Sequence, residues 1–230
     1  MSDAKQPGNS DVLPVLRTKG EARRFYDRIS RLYDLLAGTF ERRFAEMALD
    51  RLSLHEGEIV LEIGFGSGHC LRLAAESVGG EGMVYGVDIS SGMLAVTRKR
   101  LRKAGLADRI QLCCGDAARL PCADNAFDAV FMSHTLDLID TPEIPVVLGE
   151  VKRVLKPGGR FGIASMSKEK GKSVMLRLYE WAHTKWPRYI DCRPIYVERS
   201  LRDAGYEIGS KKTVGLFGLP EEIIVAVKPV

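Results

Sequence analysis

Apolar positions fall into two spacings that alternate along the chain. The text IVLEI, from Ile59, is almost continuously apolar and runs into glycines at alternate positions, Gly64, Gly66 and Gly68. Leu71, Leu73 and Ala74 then begin a helical spacing. The stretch predicts a buried strand, a tight turn and a helix start. The alternation continues with strands over 83–88 (MVYGVD), 110–113, 126–132 and 160–164, and helices over 68–78, 90–104 and 144–155. Ser90 or Ser91 is placed to cap the helix at 90–104, and Gly105 to end it. A helix is expected over 194–204 with Pro194 in its first turn. Two strands over 206–214 and 223–227 follow, joined through GLFGLP, which is short enough for a hairpin. Ahead of the first strand, Phe25, Ile29, Leu32 and Leu36 recur at helical spacing within 21–36, with Tyr26 and Tyr33 beside that face. Residues 40–52 read as a second amphipathic helix.

Strand–helix alternation implies a mostly parallel sheet covered on both faces. The expected fold is therefore α/β: a Rossmann-like, doubly wound sheet of seven strands with an antiparallel last strand, preceded by lid helices. Residues 1–18 are polar with Pro7, Gly8 and Pro14 and read as a flexible tail. That leaves 19–230 as a single domain. Residues 166–190 break the alternation. They carry Lys168, Lys170 and Lys172, then Tyr179, Trp181, Trp186 and Tyr189. They are expected to form one inserted helix plus a loop on the substrate side, over the carboxyl edge of the sheet.

Composition narrows the function only a little. At 45% apolar and 28% charged residues, the chain is an ordinary globular one. No apolar run is long enough to span a membrane, and the N-terminus lacks the apolar stretch of a secretory signal, so the cytoplasm is the expected compartment. Five cysteines, without a CxxC pair, indicate neither a disulfide framework nor a zinc site and are expected to be buried thiols. A net charge of +4 is too mild to demand nucleic acid. The charge is uneven, with 16 Lys+Arg against 8 Asp+Glu in residues 151–230. This asymmetry reads as a solvated basic face or as attraction to an anionic substrate or membrane surface.

The glycine turn carries the chemistry. A dinucleotide turn is G-x-G-x-x-G, with a helix N-terminus on a pyrophosphate. Here the spacing is G-x-G-x-G, and Glu62 stands two residues before it. A carboxylate would repel a pyrophosphate; it suits a ligand with an ammonium and a sulfonium. Asp88, at the end of the second strand, can take both ribose hydroxyls. Asp116 follows the third strand and can accept a hydrogen bond from an adenine amino group.

The glycine turn, Asp88, Asp116 and the turn Lys156-Pro157-Gly158-Gly159, in this order, resemble the class I S-adenosylmethionine (SAM) dependent methyltransferases. YDRISRLYDLL, LPCADNAFDAV and EVKRVLKPGGRF are similar to the ubiquinone/menaquinone C-methyltransferase (UbiE-type) branch, within the methyltransferase type 11 group. The likeness covers about residues 21–165 and is looser beyond. Residue by residue, it implies SAM as the cofactor, with Glu62, Gly64 and Gly66 on the methionine moiety and Gly68 closing the turn. Asp88 would hold the ribose, Ile89 and Met93 would flank the adenine, and Asp116 and Ala117 would face its edge. Ser133 and His134 would line the path to the acceptor, and Tyr26 and Tyr33 would sit on a lid helix, with core packing as the other reading of Tyr33. Cys122 would pack.

His134 ends a buried strand at the ligand edge, where a polar residue is otherwise costly. It is the best-placed base; the alternative is a hydrogen-bonded structural histidine. His69 is expected to pack or point outward, and His55 and His183 to lie at the surface. Asp191 either caps or pairs with Arg193, or Arg193 lies over an anionic or carbonyl-bearing acceptor. Asp137 and Asp140 read as loop and cap residues. The implied enzyme transfers a methyl group from SAM to a small-molecule or lipid acceptor, a quinol precursor among the candidates. A nucleic-acid or protein methyltransferase is one alternative, but Met132-Ser133-His134-Thr135 stands where an Asn-Pro-Pro-Tyr type clamp would be needed. A SAM-binding partner without catalysis is another. No nucleic-acid partner is expected, peripheral membrane contact is allowed by the basic half, and the oligomeric state is left open.

Overall fold

The computed structural model describes residues 12–33, 39–169, 174–186, 191–216 and 218–230. Leu36, Lys170, Lys172 and Tyr189, which the sequence placed in the lid helix and the insert, lie outside the described residues, as does the tail up to residue 11.

The seven strands are β1 (Ile59–Ile63), β2 (Met83–Asp88), β3 (Ile110–Cys114), β4 (Phe127–Ser133), β5 (Leu155–Met166), β6 (Glu207–Leu216) and β7 (Leu219–Val227). They form one sheet in the order β3-β2-β1-β4-β5-β7-β6. The first five are mutually parallel, and β7 runs antiparallel to both β5 and β6. The order reverses between β1 and β4, and such a switch point opens a crevice at the carboxyl ends of the strands.

The helices are α1 (Lys19–Ile29), α2 (Thr39–Leu52), α3 (His69–Ser77), α4 (Ser91–Lys103), α5 (Ile144–Val154), α6 (Val174–Lys185) and α7 (Val197–Asp203). Alternate strand residues choose between two cores. Val60, Val84 and Ala129 pack with α2, α3 and α4. Leu61, Ile63 and Val130 pack with Val147, Leu148 and Val151 of α5 and Val197 and Leu201 of α7. Both faces are covered, as the unbroken apolar runs of the parallel strands require.

The lid helix expected over 21–36 is α1, which ends at Ile29 and leaves Leu32 exposed, and four further features depart from the sequence expectation. First, β5 starts at Leu155 instead of 160. Gly158 takes φ +74°, so the Lys156-Pro157-Gly158-Gly159 segment bulges within the strand instead of preceding it. Its edge is satisfied by pairing with Lys228. Second, β7 begins at Leu219 instead of 223, which draws Glu221 and Glu222 into the strand. Third, α7 starts at Val197 because Ile195 pairs with Met166 and Lys168 through its backbone. Fourth, residues 12–18 are not a loose tail. Val15 N–H donates to Asp140 Oδ1 (3.2 Å), Arg17 pairs with Asp191 (3.0 Å) and stacks over Phe25, and Thr18 and Glu21 form a capping box at the start of α1. This segment is a strap over the crevice.

Candidate functional site

A cavity of about 450 Å³ opens at the carboxyl ends of β1, β2, β3 and β4, within the size range of small-molecule sites. Gly64, Gly66, Asp88, Ile89, Met93, Asp116, Ala117, Ser133 and His134 all line it, as do Tyr26 and Tyr33. The strap residues Val15 to Lys19 form its outer wall. A smaller annex of about 80 Å³ lies beside it, lined by Glu62, Glu41, Tyr33 and His134, with Gly64 and Gly66 between the two.

The turn after β1 is held from both sides. Gly64 has φ +74°, and a Cβ there would lie 2.1 Å from Thr135 Oγ1. Its bareness therefore serves the close approach of the loop after β4. Gly66 has φ +48° and faces the Tyr33 ring at 3.4 Å from a built Cβ. Its N–H donates to Asp88 Oδ2 (2.9 Å), and its carbonyl accepts from Thr97 Oγ1 (2.8 Å). Gly68 does not reach the cavity. It begins α3 and faces Thr97.

Asp88 thus anchors the turn before any ligand is considered. Its Oδ1 also accepts the Ser90 N–H at 2.8 Å. Burial lifts its carboxyl to about 6, against these two backbone donors. Glu62 is 5% exposed, and its Oε2 has no hydrogen-bond partner. Burial, with Asp88 nearby, pushes its carboxyl well above the ordinary range. Asp116 is more open: its Oδ2 accepts from Lys19 Nζ (2.6 Å), and its Oδ1 from the Ala118 N–H (2.9 Å). Lys19 also pairs with Glu143, so it spans the mouth.

His134 sits at the end of β4 in a left-handed conformation, φ +45°, which aims its ring across the wall shared by cavity and annex. Its Nδ1 lies 3.0 Å from Ser133 Oγ, and its Nε2 lies 3.4 Å from Glu221 Oε2, an ion-pair distance longer than a hydrogen bond. Burial opposes the imidazolium, but Glu221, Asp137 and Glu41 outweigh it and raise His134 to about 9. The carboxylates gathered around it favour the imidazolium, and the ring stands where an acceptor entering the cavity would meet it. Asp137 is no ordinary loop residue either. It is fully buried, with Met166 N–H on Oδ2 and its carboxyl lifted to about 7 by burial.

Arg193 is not offered to an acceptor. It is 0% exposed, and its guanidinium donates to Leu13 O, Thr141 Oγ1 and Ile139 O. It ties the strap to the loop after β4. Asp191 instead receives Arg17 and the Tyr26 hydroxyl (2.8 Å). His183 is buried, with neither ring nitrogen bonded, contrary to the surface expectation, whereas His55 is exposed. His69 pairs with Glu46 at 2.7 Å. Cys113 and Cys114 are exposed, contrary to expectation, because the edge strand β3 leaves them uncovered. Asp140 caps the turn at Thr141–Glu143 as expected.

Sequence reasoning missed Glu221, Glu41 and Asp27. Asp27 of α1 accepts from the Ser90 hydroxyl (2.7 Å) and the Gly92 N–H (2.7 Å), docking the lid helix on the start of α4. Adjacent acids at the head of the apolar strand 219–227 were the available signal for Glu221.

Residues 60–159 match the family described as "Methyltransferase domain". The chain is 35% identical over 195 residues to a demethylmenaquinone methyltransferase of Symbiobacterium thermophilum, covering 78% of this chain and 76% of that protein. It is 36% identical over 159 residues to a 2-phytyl-1,4-naphtoquinone methyltransferase of Synechococcus elongatus, covering 67% and 66%. The crystal structure of a SAM-dependent methyltransferase from Aquifex aeolicus superposes with a TM-score of 0.64 at 25% identity, over 88% of this chain and 97% of that one. The chain belongs to the class I SAM-dependent methyltransferases, in the UbiE-type group, and transfers a methyl group from SAM to a small-molecule acceptor.

Proposed function

We propose that the acceptor is a quinol-type ring, methylated at carbon, and that it lies against His134. Support comes from the relatives named for demethylmenaquinone and phytyl-naphtoquinone and from the carboxylates around His134, which favour an imidazolium there. The donor side of the cavity fits SAM on this chain's own features. Glu62, whose buried Oε2 has no hydrogen-bond partner, lines the annex, where an ammonium would satisfy it. Asp88 would take the ribose hydroxyls while keeping the turn anchored. Ile89 and Met93 would hold the adenine faces, and Asp116 and Ala117 its edge. Gly64 and Gly66 would lie along the methionine portion, and Tyr33 would close over it.

When bound, SAM supplies an electrophilic sulfonium methyl group. The chain supplies position and field. An imidazolium at His134 favours the oxyanion form of a quinol hydroxyl, and that oxyanion enriches the ring carbons beside it. Ser133 and Glu221 fix the ring from its two nitrogens, so Glu221 is a positioning residue. The proton lost from the acceptor can pass to the buried acids around His134, with Asp137 near neutrality. The strap and Tyr26 exclude water from the crevice.

The observation that carries this reading is His134 on the cavity wall, backed by Glu221 at 3.4 Å. Labelled SAM incubated with the chain and a demethylated naphthoquinol should put label on a ring carbon. Label transferred to amines or thiols, and none to quinols, would overturn it.

A further inference from the structure

α6 is apolar on two opposite faces. Leu176 and His183 are buried on the inner one, where the Tyr179 hydroxyl also donates to Cys192 O at 3.0 Å. On the outer face Val174 is 70% exposed, Leu178 52% and Trp181 51%. At helical spacing these three fall within a sector of about 60°. Met175 stands beside them, and Trp186, just past the helix, packs edge-on against Trp181 at 5.5 Å. A helix apolar on both sides belongs in an interior, yet this one is open to solvent.

The charges decide what covers it. Arg177 and Lys185 are exposed on the outer side. Glu180, the acid of this helix, turns inward and holds Lys168 at 2.8 Å. The outer surface of α6 therefore presents cations and no acid. A second copy would set cation against cation. Anionic lipid headgroups would neutralise them, while the acyl boundary takes Val174, Leu178 and the two indoles. Tryptophan suits that boundary, with an apolar ring and a polar N–H. Among the described residues no helix is long and apolar enough to cross a membrane.

The helix also lies on the side from which the cavity is closed. His183 borders a small void whose other walls, Leu16, Arg17 and Tyr26 among them, line the main cavity too. Leu16 of the strap is itself 53% exposed. We propose that α6 is an interfacial helix whose outer face docks the enzyme on an anionic bilayer surface. Such docking holds whatever acceptor the cavity takes.

Trp181 and Trp186 are the two tryptophans of the chain, so its intrinsic fluorescence reports on this face. The full chain is titrated with vesicles of phosphatidylcholine alone and with roughly one-third phosphatidylglycerol added. A blue shift, and quenching by brominated acyl chains, are expected with the anionic vesicles and should weaken as salt rises. In flotation, Leu178→Glu should abolish binding, and Arg177→Glu with Lys185→Glu should weaken it by on the order of tenfold or more. Both variants should keep wild-type SAM affinity by calorimetry, which separates lost docking from lost folding. No binding to either vesicle, equal binding to both, or a dimer that Leu178→Glu dissolves would overturn the proposal; the dimer would assign the face to a second copy.

Discussion

Lys19 Nζ lies 2.6 Å from Asp116 Oδ2, joining the first turn of α1 to the loop after β3 across the mouth of the cavity. The two side chains are 44% and 40% exposed, so the pair adds little to stability, under about 1 kcal/mol. Its place makes it a latch on the strap. Lys19→Ala should leave the melting temperature near wild type and speed SAM dissociation several-fold in stopped flow. An unchanged off-rate would show that the strap does not gate entry.

Asp88 both anchors the turn and lines the cavity. Asp88→Ala should weaken SAM by roughly 1–3 kcal/mol through lost charge-assisted hydrogen bonds, measured by calorimetry. Asp88→Asn should recover part of this loss, since one amide oxygen can still accept the Gly66 N–H. Wild-type affinity in both variants would remove Asp88 from the site.

Burial, with Asp88 adding to the effect, pushes the Glu62 carboxyl well above the ordinary range. An ammonium docking against it favours the carboxylate and should expel the proton. Calorimetry of SAM binding near neutral pH, in buffers of different ionisation enthalpy, should show net proton release, and Glu62→Gln should abolish it. Buffer-independent enthalpies for the wild type would contradict the assignment.

His134 is raised to about 9, above its ordinary value near 6.5. Its paired state therefore stabilises the fold fully below the ordinary value and is lost as pH rises through about 9. Turnover should fall over the same window if the imidazolium does the work, whereas a neutral base would make it rise there. His134→Gln should lower kcat more than SAM affinity. Glu221→Gln should move the upper limb of the pH profile downward, a shift that loss of packing alone would not produce.

Arg193→Met removes donors from Leu13 O, Thr141 Oγ1 and Ile139 O while keeping most of the side-chain volume. Leaving these part-buried acceptors unpaired should cost about 1–3 kcal/mol, read from denaturant midpoints. Stability equal to wild type would show that the strap is not held from this point.

The parallel strands and the order of glycine turn, Asp88 and Asp116 were legible because each rests on local spacing, and the donor followed from the family resemblance that these motifs carry. Ile59 to Gly68 states a strand and a turn within ten residues. Glu221 was not legible. Its partner His134 stands far off in sequence, and the two meet only because β7 inserts antiparallel beside β5. Arg193 read either as a partner of Asp191 or as lying over the acceptor; only the packed strap and the loop after β4 reveal that it serves Leu13 O, Thr141 Oγ1 and Ile139 O. Residues 12–18 read as tail because their bonds run to Asp140 and Asp191, which no local pattern encodes.

The amino-acid sequence by itself determined the doubly wound sheet and the tight glycine turn at its carboxyl edge, because periodicity and turn chemistry act over a few residues. Tertiary structure decided the rest. It turned Gly64 toward Thr135, gave Gly66 to Asp88, and closed the cavity with a strap. It also gathered Glu41, Asp137 and Glu221 around His134. A charge state depends on which distant groups share one low-dielectric space, and only the folded chain brings them there.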